Sequence, residues 1–307
     1  MTTHVISRFF ESIIVVFLVS VIIFSIMHVA PGDPVEILLG QHDVTPERME
    51  AIRDKWGLNK PLVIQYGIWV SNALRGDFGT SVAYGVPVSG LILQRIPNTV
   101  VLNLFAIVLT VTIAIPVGVI SAIKQYSIID YVGSTAAVLG MSMPNFWVAV
   151  MLLIVFSLWL KWLPTFGISS WRSFILPSIS IALMNAAVVS RFTRSKFLEE
   201  VHKDYVNTAR SKGVSERTVI YKHVFRNAAS SIVTLVGYRI AYILSGTIVV
   251  EIVFAWPGLG RLLINAIFSR DYSVVQGITF ISAIIIVIGN FLTDISYGII
   301  DPRIRYE

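Results

Sequence analysis

The sequence predicts an all-α polytopic membrane protein of six transmembrane helices with both termini in the cytoplasm. Three observations carry that class. Of 307 residues, 55% are hydrophobic and only 14% charged, and the mean hydropathy is +0.76; a soluble globular chain carries about 25% charged residues. Apolar runs of about 20 residues, long enough to cross the hydrocarbon core, recur along the chain. Between two of them lies a polar stretch, 191–230, with nine basic residues against four acidic ones. A long basic loop between spans stays on the cytoplasmic side.

The first expected span is 9–29, behind Arg8. A cleaved signal peptide is the rival reading, but the run is longer than a signal core and Met27, His28 and Val29 do not match a small-residue cleavage site. The segment 31–97 follows as an external loop with six basic and seven acidic residues, near neutral in charge. Within it, Thr45 and Pro46 open a short amphipathic helix with Met49, Ile52 and Trp56 on one face. Leu62 to Leu74 and Pro87 to Ile96 read as two further helices. A loop of this length is expected to be folded and functional.

The second span is expected at 98–123 and the third at 131–160, broken at Pro144. Trp159, Trp162 and Trp171 sit where an aromatic belt would meet the interface. Spans four to six are expected at 174–190, 232–254 and 274–299. Arg8, Lys124, the basic loop, Arg303 and Arg305 then lie inside, while the short outer turns hold Lys161, Arg172, Arg261 and Arg270. Long, balanced loops such as 31–97 weigh less in this rule. The net charge of +6 is therefore membrane-flanking charge and gives no reason to invoke nucleic acid.

The basic loop has the pattern of a folded element. Phe197, Val201, Tyr205 and Ala209 recur at helical spacing on one polar helix. Gly213 is placed to stop that helix in a left-handed conformation, and Ser215 to cap a second one running towards Asn227. A helix–glycine–helix on the cytoplasmic face suits docking better than catalysis.

Enzyme chemistry finds little footing. With no Cys, thiol nucleophiles, disulfides and cysteine metal sites are excluded. His4, His28, His42, His202 and His223 are scattered outside any H-E-x-x-H, and no Walker-type phosphate loop is present. Gly258-Leu259-Gly260 resembles part of one, but follows Pro257 on the outer side, where a turn explains it better. Ionisable residues within spans are functional candidates. Arg239 and Asp294 fall at similar depth in spans five and six and form a candidate buried pair, with snorkelling to the interface as the equal alternative. Glu251, near the outer end of span five, is expected to meet water or Arg261. Gly237, Ser245 and Gly246 on the same span mark close helix packing, pore lining or both.

The stretch from Asp204 through Tyr205, Val206, Asn207, Thr208, Ala209, Arg210, Ser211 and Lys212 to Gly213 resembles the "EAA" loop of binding-protein-dependent ATP-binding-cassette importers. Asn207, Thr208 and Ala209 stand at its E-A-A positions and Gly213 at its glycine; the departure at the Glu and first Ala is similar to the dipeptide/oligopeptide permease branch, which also serves glutathione and nickel or metal chelates. Pro31-Gly32-Asp33-Pro34, Gly76-Asp77-Phe78-Gly79-Thr80-Ser81, Trp256-Pro257-Gly258-Leu259-Gly260-Arg261 and Asp301-Pro302-Arg303-Ile304-Arg305-Tyr306 extend the likeness over nearly the whole chain.

The resemblance implies a type I importer permease in a prokaryotic cell membrane. It further implies pairing with a second, related permease, two cytoplasmic ATP-binding subunits and an external substrate-binding protein. The EAA-type loop, with Asp204, Tyr205, Asn207, Thr208, Ala209, Lys212 and Gly213, would then be the coupling element. This chain itself would bind no cofactor, ATP and Mg belonging to the partners, and di- or oligopeptides are the expected substrate.

Overall fold

A computed structural model of the chain describes residues 2–29, 59–241 and 247–300, with side chains described over 6–26, 59–237 and 247–295. The expected helix around Met49, the Pro31–Pro34 and Asp301–Tyr306 motifs, Ser245 and Gly246 lie outside these residues. Among the described residues the secondary structure is helical, with one isolated bridge between Thr80 and Pro87. Four helices are long and apolar enough to cross a membrane, and a bent helix pair adds a fifth candidate span.

The chain divides into two compact units, Met1–Thr99 with Pro257–Phe291, and Val100–Trp256 with Leu292–Glu307. In the first unit, α1 (Thr2–Val29) and α2 (Leu62–Leu74) pack through Ile23, Ala73 and Phe280, with Trp69 edge-on to Phe280 at 5.5 Å. Ser20 and Tyr66 join the two helices by a 2.7 Å hydrogen bond. Much of α1 is an exposed apolar surface, as a lipid-facing helix requires.

The segment 76–88 of this unit is an ordered loop. Gly76, Gly79 and Gly85 adopt positive φ, Ser81 N–H donates to Val86 O, and Val88 N–H donates to Gly79 O. α3 (Val88–Ile123) follows as one helix of 36 residues. The separate helix expected at Pro87–Ile96 is therefore the first turns of this long helix. Pro97 costs it only the amide that would serve the Leu93 carbonyl, in an exposed stretch where the loss is tolerable.

The second unit holds the bent span. α4 (Ile128–Ser142) is capped by Ser127, whose hydroxyl accepts from Asp130 N–H. It ends where Met143 precedes Pro144: Met143 is extended (φ −81, ψ 129), the conformation that a following proline imposes. α5 (Asn145–Leu152) starts anew and runs into a π-helical stretch, Leu153–Trp159. The two arms meet at 103°, so the expected third span is a sharply broken element.

α6 (Ile175–Val201) is 27 residues long and carries on well past the expected end of the fourth span at 190. Its first half packs with α5 around Leu176, Ile181, Phe254 and Trp256; Trp256 is fully buried and edge-on to Phe174 at 4.6 Å. α7 (Asp204–Ser211) follows, then a helical run through Glu216–Thr218 and a π turn, Val219–Val224, into α8 (Phe225–Ala241). α9 (Ile248–Val253), α10 (Leu259–Phe268) and α11 (Tyr272–Ile300) complete the described chain. Expected span five thus begins earlier, at Phe225, and is described on either side of 242–246.

Candidate coupling element and its supports

The polar stretch folds as a short helix standing on an apolar base. α6 does not extend through Tyr205 to Ala209 as one stripe. It stops at His202, Lys203 is extended (φ −76, ψ 151), and α7 restarts with Asp204 in its first turn, where a carboxylate favours the helix dipole. The break changes the register. Phe197 and Val206, both fully buried, become the anchors, while Tyr205 and Ala209 are half-buried at the edge. Val219, Ile220, Val224 and Ala228 close the same cluster from the following helices, with Val119 and Ala122 of α3.

The end of α7 shows why glycine stands at 213. Gly213 N–H donates to Arg210 O at 2.9 Å and Val214 N–H to Ala209 O at 3.3 Å, with Gly213 at φ +75. This is a Schellman stop, accompanied by packing of Val214 and Ala209 in one cluster. Arg210 then reaches over the turn to Glu216 through two hydrogen bonds of 2.6 and 3.1 Å. Its guanidinium holds the Glu216 carboxyl below the usual glutamate range. Ser215 is at the expected cap position, but its hydroxyl pairs with Thr218 Oγ1 at 2.9 Å and caps no backbone amide.

Tyr205 donates its hydroxyl to Glu200 Oε2 at 2.8 Å, and burial pushes its phenol above the ordinary value. That bond ties α7 back to the last turn of α6. Asp204, Asn207, Thr208 and Lys212 remain exposed. The candidate residues therefore divide: Tyr205, Ala209 and Gly213 shape the element, and the other four present its outer face.

Two supports were not singled out by sequence reasoning. Arg194 of α6 grips Asp130 of α4 in a bidentate pair, 2.6 and 2.8 Å, and Asp130 also accepts from Tyr126 N–H and the Ser134 hydroxyl. In the first unit, fully buried Asp271 accepts from the Ser81 hydroxyl at 2.5 Å and from Ala83 N–H at 3.1 Å, while its other oxygen caps α11 at Val274. An Asp three residues ahead of the expected start of span six is an N-cap signal that could have marked it.

The span candidates fare differently. Arg239 lies in α8, but its side chain is outside the described residues. Asp294 is half-buried in α11. The two helices are neighbours at that level, with room for a side chain at Gly237: a Cβ there would lie 3.9 Å from Thr293 Cγ2, an ordinary contact. Glu251 does not lie at a water-exposed surface, one of the two surroundings expected for it. It is fully buried in α9 and accepts from the Thr247 hydroxyl at 3.1 Å, because α9 is packed into the core instead of ending at the surface.

Comparison with known proteins gives a consistent result. Residues 114–306 match the family described as binding-protein-dependent transport system inner membrane component, and residues 1–103 match its N-terminal counterpart. The chain is 40% identical over 317 residues to the oligopeptide transport system permease protein AppB of Bacillus subtilis, covering all of both chains. It is 40% identical over 307 residues to the glutathione transport system permease protein GsiC of Escherichia coli K12, again over the whole of both. A putative peptide transport system permease protein of Brucella abortus is 41% identical over 315 residues, with full coverage of both chains.

Two solved structures share the fold at low identity. A methionine ABC transporter, MetNI, in an inward-facing conformation matches with TM-score 0.59 and 14% identity, covering 69% of this chain and 96% of that one. An amino acid ABC transporter crystallised with histidines matches with TM-score 0.56 and 16% identity, covering 68% and 94%.

Proposed function

The chain belongs to the family of binding-protein-dependent transport system inner membrane components, and we propose that it forms half of the translocation pathway of an ATP-driven importer of di- and oligopeptides. It is a multi-pass inner membrane protein with the fold of a type I ABC importer permease. In our reading a second, related permease supplies the other half, two ATP-binding subunits dock on its cytoplasmic face, and an external binding protein delivers the substrate. ATP and Mg are held by those partners.

The observation that carries the coupling role is the form of α7. A helix of eight residues is too short to be stable alone, yet here it is closed by a Schellman stop, pinned by Val206 and tied to α6 through Tyr205 and Glu200. Its exposed polar face is thus presented on a rigid support, which is what a lever needs if it is to be pushed by a closing ATPase pair. Since α6 runs without interruption from Ile175 to Val201 before reaching it, displacement at α7 is delivered along a helix of about 40 Å.

The substrate class rests on relatives named for oligopeptides, peptides and glutathione. Glutathione is itself a tripeptide, so one chemical class covers all three. Co-purification from the native membrane, followed by reconstitution with the accompanying binding protein, tests the reading. ATP-dependent uptake of labelled di- or oligopeptides supports it. A chain that purifies alone and transports without ATP contradicts it, and uptake restricted to a metal chelate contradicts the substrate class.

A further inference from the structure

We infer that the Asp130–Arg194 pair locks α4 to α6, so that α4, α6 and α7 move as one body. The inference rests on the coupling role proposed for α7. Two observations of one compact unit support it.

The first is the chemistry of the pair. A bidentate guanidinium–carboxylate fork fixes distance and orientation together, unlike a single ion contact. Asp130 is buried and has further donors in Tyr126 N–H and the Ser134 hydroxyl, so its carboxylate is held on several sides. Arg194 sits on the last turns of α6, two turns from its end, directly upstream of α7. Force applied to α7 through Tyr205 and Glu200 therefore reaches Arg194 before it reaches the span.

The second is close packing along the same helices. A Cβ on Gly140 of α4 would lie 3.1 Å from Ala187 Cβ of α6. A Cβ on Gly133 of α4 would be 2.7 Å from the Ser121 hydroxyl of α3, and one on Gly118 of α3 would be 2.6 Å from the Ser190 carbonyl of α6. Backbones this close leave no room for one helix to slide over another without steric collision. The pair is the polar fastening at one end of a seam that runs to the bend.

The test uses the full complex reconstituted with its ATPase partners and binding protein, with substrate imported per ATP hydrolysed as the readout. Asp130→Asn is expected to leave ATP hydrolysis in assembled complexes but lower import per ATP about tenfold. Asp130→Glu, which keeps the charge, is expected to recover most of it. Because the chain has no Cys, Gly140→Cys with Ala187→Cys offers a cross-link between the only two thiols; its Cβ atoms, at 3.1 Å, lie just under the ordinary disulfide separation, so the seam must give by a few tenths of an ångström.

With the disulfide verified by mass and the reduced form active, oxidised and reduced forms of that double variant are expected to import within about twofold of each other, since a bond within one rigid body constrains nothing. Loss of import on oxidation, regained on reduction, would overturn the inference, as would an assembled Asp130→Asn complex with unchanged import per ATP. If Asp130→Asn fails to assemble, the oxidation result decides alone. A parent complex that shows no ATP-driven import would overturn the transport reading, and this inference with it.

Discussion

Ser81 donates its hydroxyl to Asp271 at 2.5 Å, across 190 residues of sequence, with Asp271 wholly buried. The bond joins the Gly76–Ser81 motif to the cap of the last helix, and it explains why a glycine-rich, polar motif is ordered at that position. The same carboxylate orders Ala83 and Val274.

Asp271→Ala is expected to destabilise the membrane domain by about 3 kcal/mol, because it leaves three donors without an acceptor. Ser81→Ala is expected to cost less, about 1–2 kcal/mol: Ala83 and Val274 keep Asp271 as acceptor, and Tyr84 N–H alone loses one, the Ser81 hydroxyl. Thermal unfolding of the purified protein in detergent checks the order. Equal midpoints for both variants would contradict it.

Gly118→Val is expected to cost roughly 2 kcal/mol or more, or to abolish assembly, because its side chain meets the Ser190 carbonyl and Thr193 at 2.6–2.9 Å. Gly213→Ala differs in kind. Nothing lies within 4 Å of a Cβ there, so only its φ of +75 matters, and the cost is about 1 kcal/mol. Asn at 213 should cost less than Ala, and Pro should uncouple ATP hydrolysis from import without unfolding the spans. ATPase and uptake assays on the assembled complex measure this.

The Arg210–Glu216 pair is exposed, so Glu216→Gln is expected to cost less than about 1 kcal/mol and to be screened by salt. Its sign with pH follows from the lowered Glu216 value. The contribution is complete above the ordinary glutamate range and is lost as pH falls through the lowered folded value. Proteolysis of the 204–216 segment across acid pH reads this out: protection in the parent should fall with pH, and in Glu216→Gln it should not respond to this group.

Much of this was legible in the sequence because single residues announce single physical requirements. Gly213 was readable as a left-handed stop and Pro144 as a break, since each acts on its own backbone. The helix at Leu62–Leu74 was readable from its spacing. What escaped was non-local. No periodicity in the chain tells that Asp130 meets Arg194, 64 residues on, or that Ser81 meets Asp271. The break at His202–Lys203 was missed because an apolar residue falls at every fourth position on both sides of it, and only packing shows that Val206 replaces Tyr205 as the anchor. The burial of Glu251 was unforeseen for the same reason: helix-end charges are solvated by default, and a burial imposed by a neighbouring element leaves no mark in the local sequence.

The most direct test of the account is a cross-link from the exposed face of α7. Asn207→Cys introduces the sole thiol of the chain at an exposed position. In the assembled complex a thiol-directed cross-linker at that position should capture an ATP-binding subunit, with a yield that changes between ATP-bound and nucleotide-free states. Capture of no ATP-binding subunit, in a complex that hydrolyses ATP and imports substrate, would show that coupling runs through another surface.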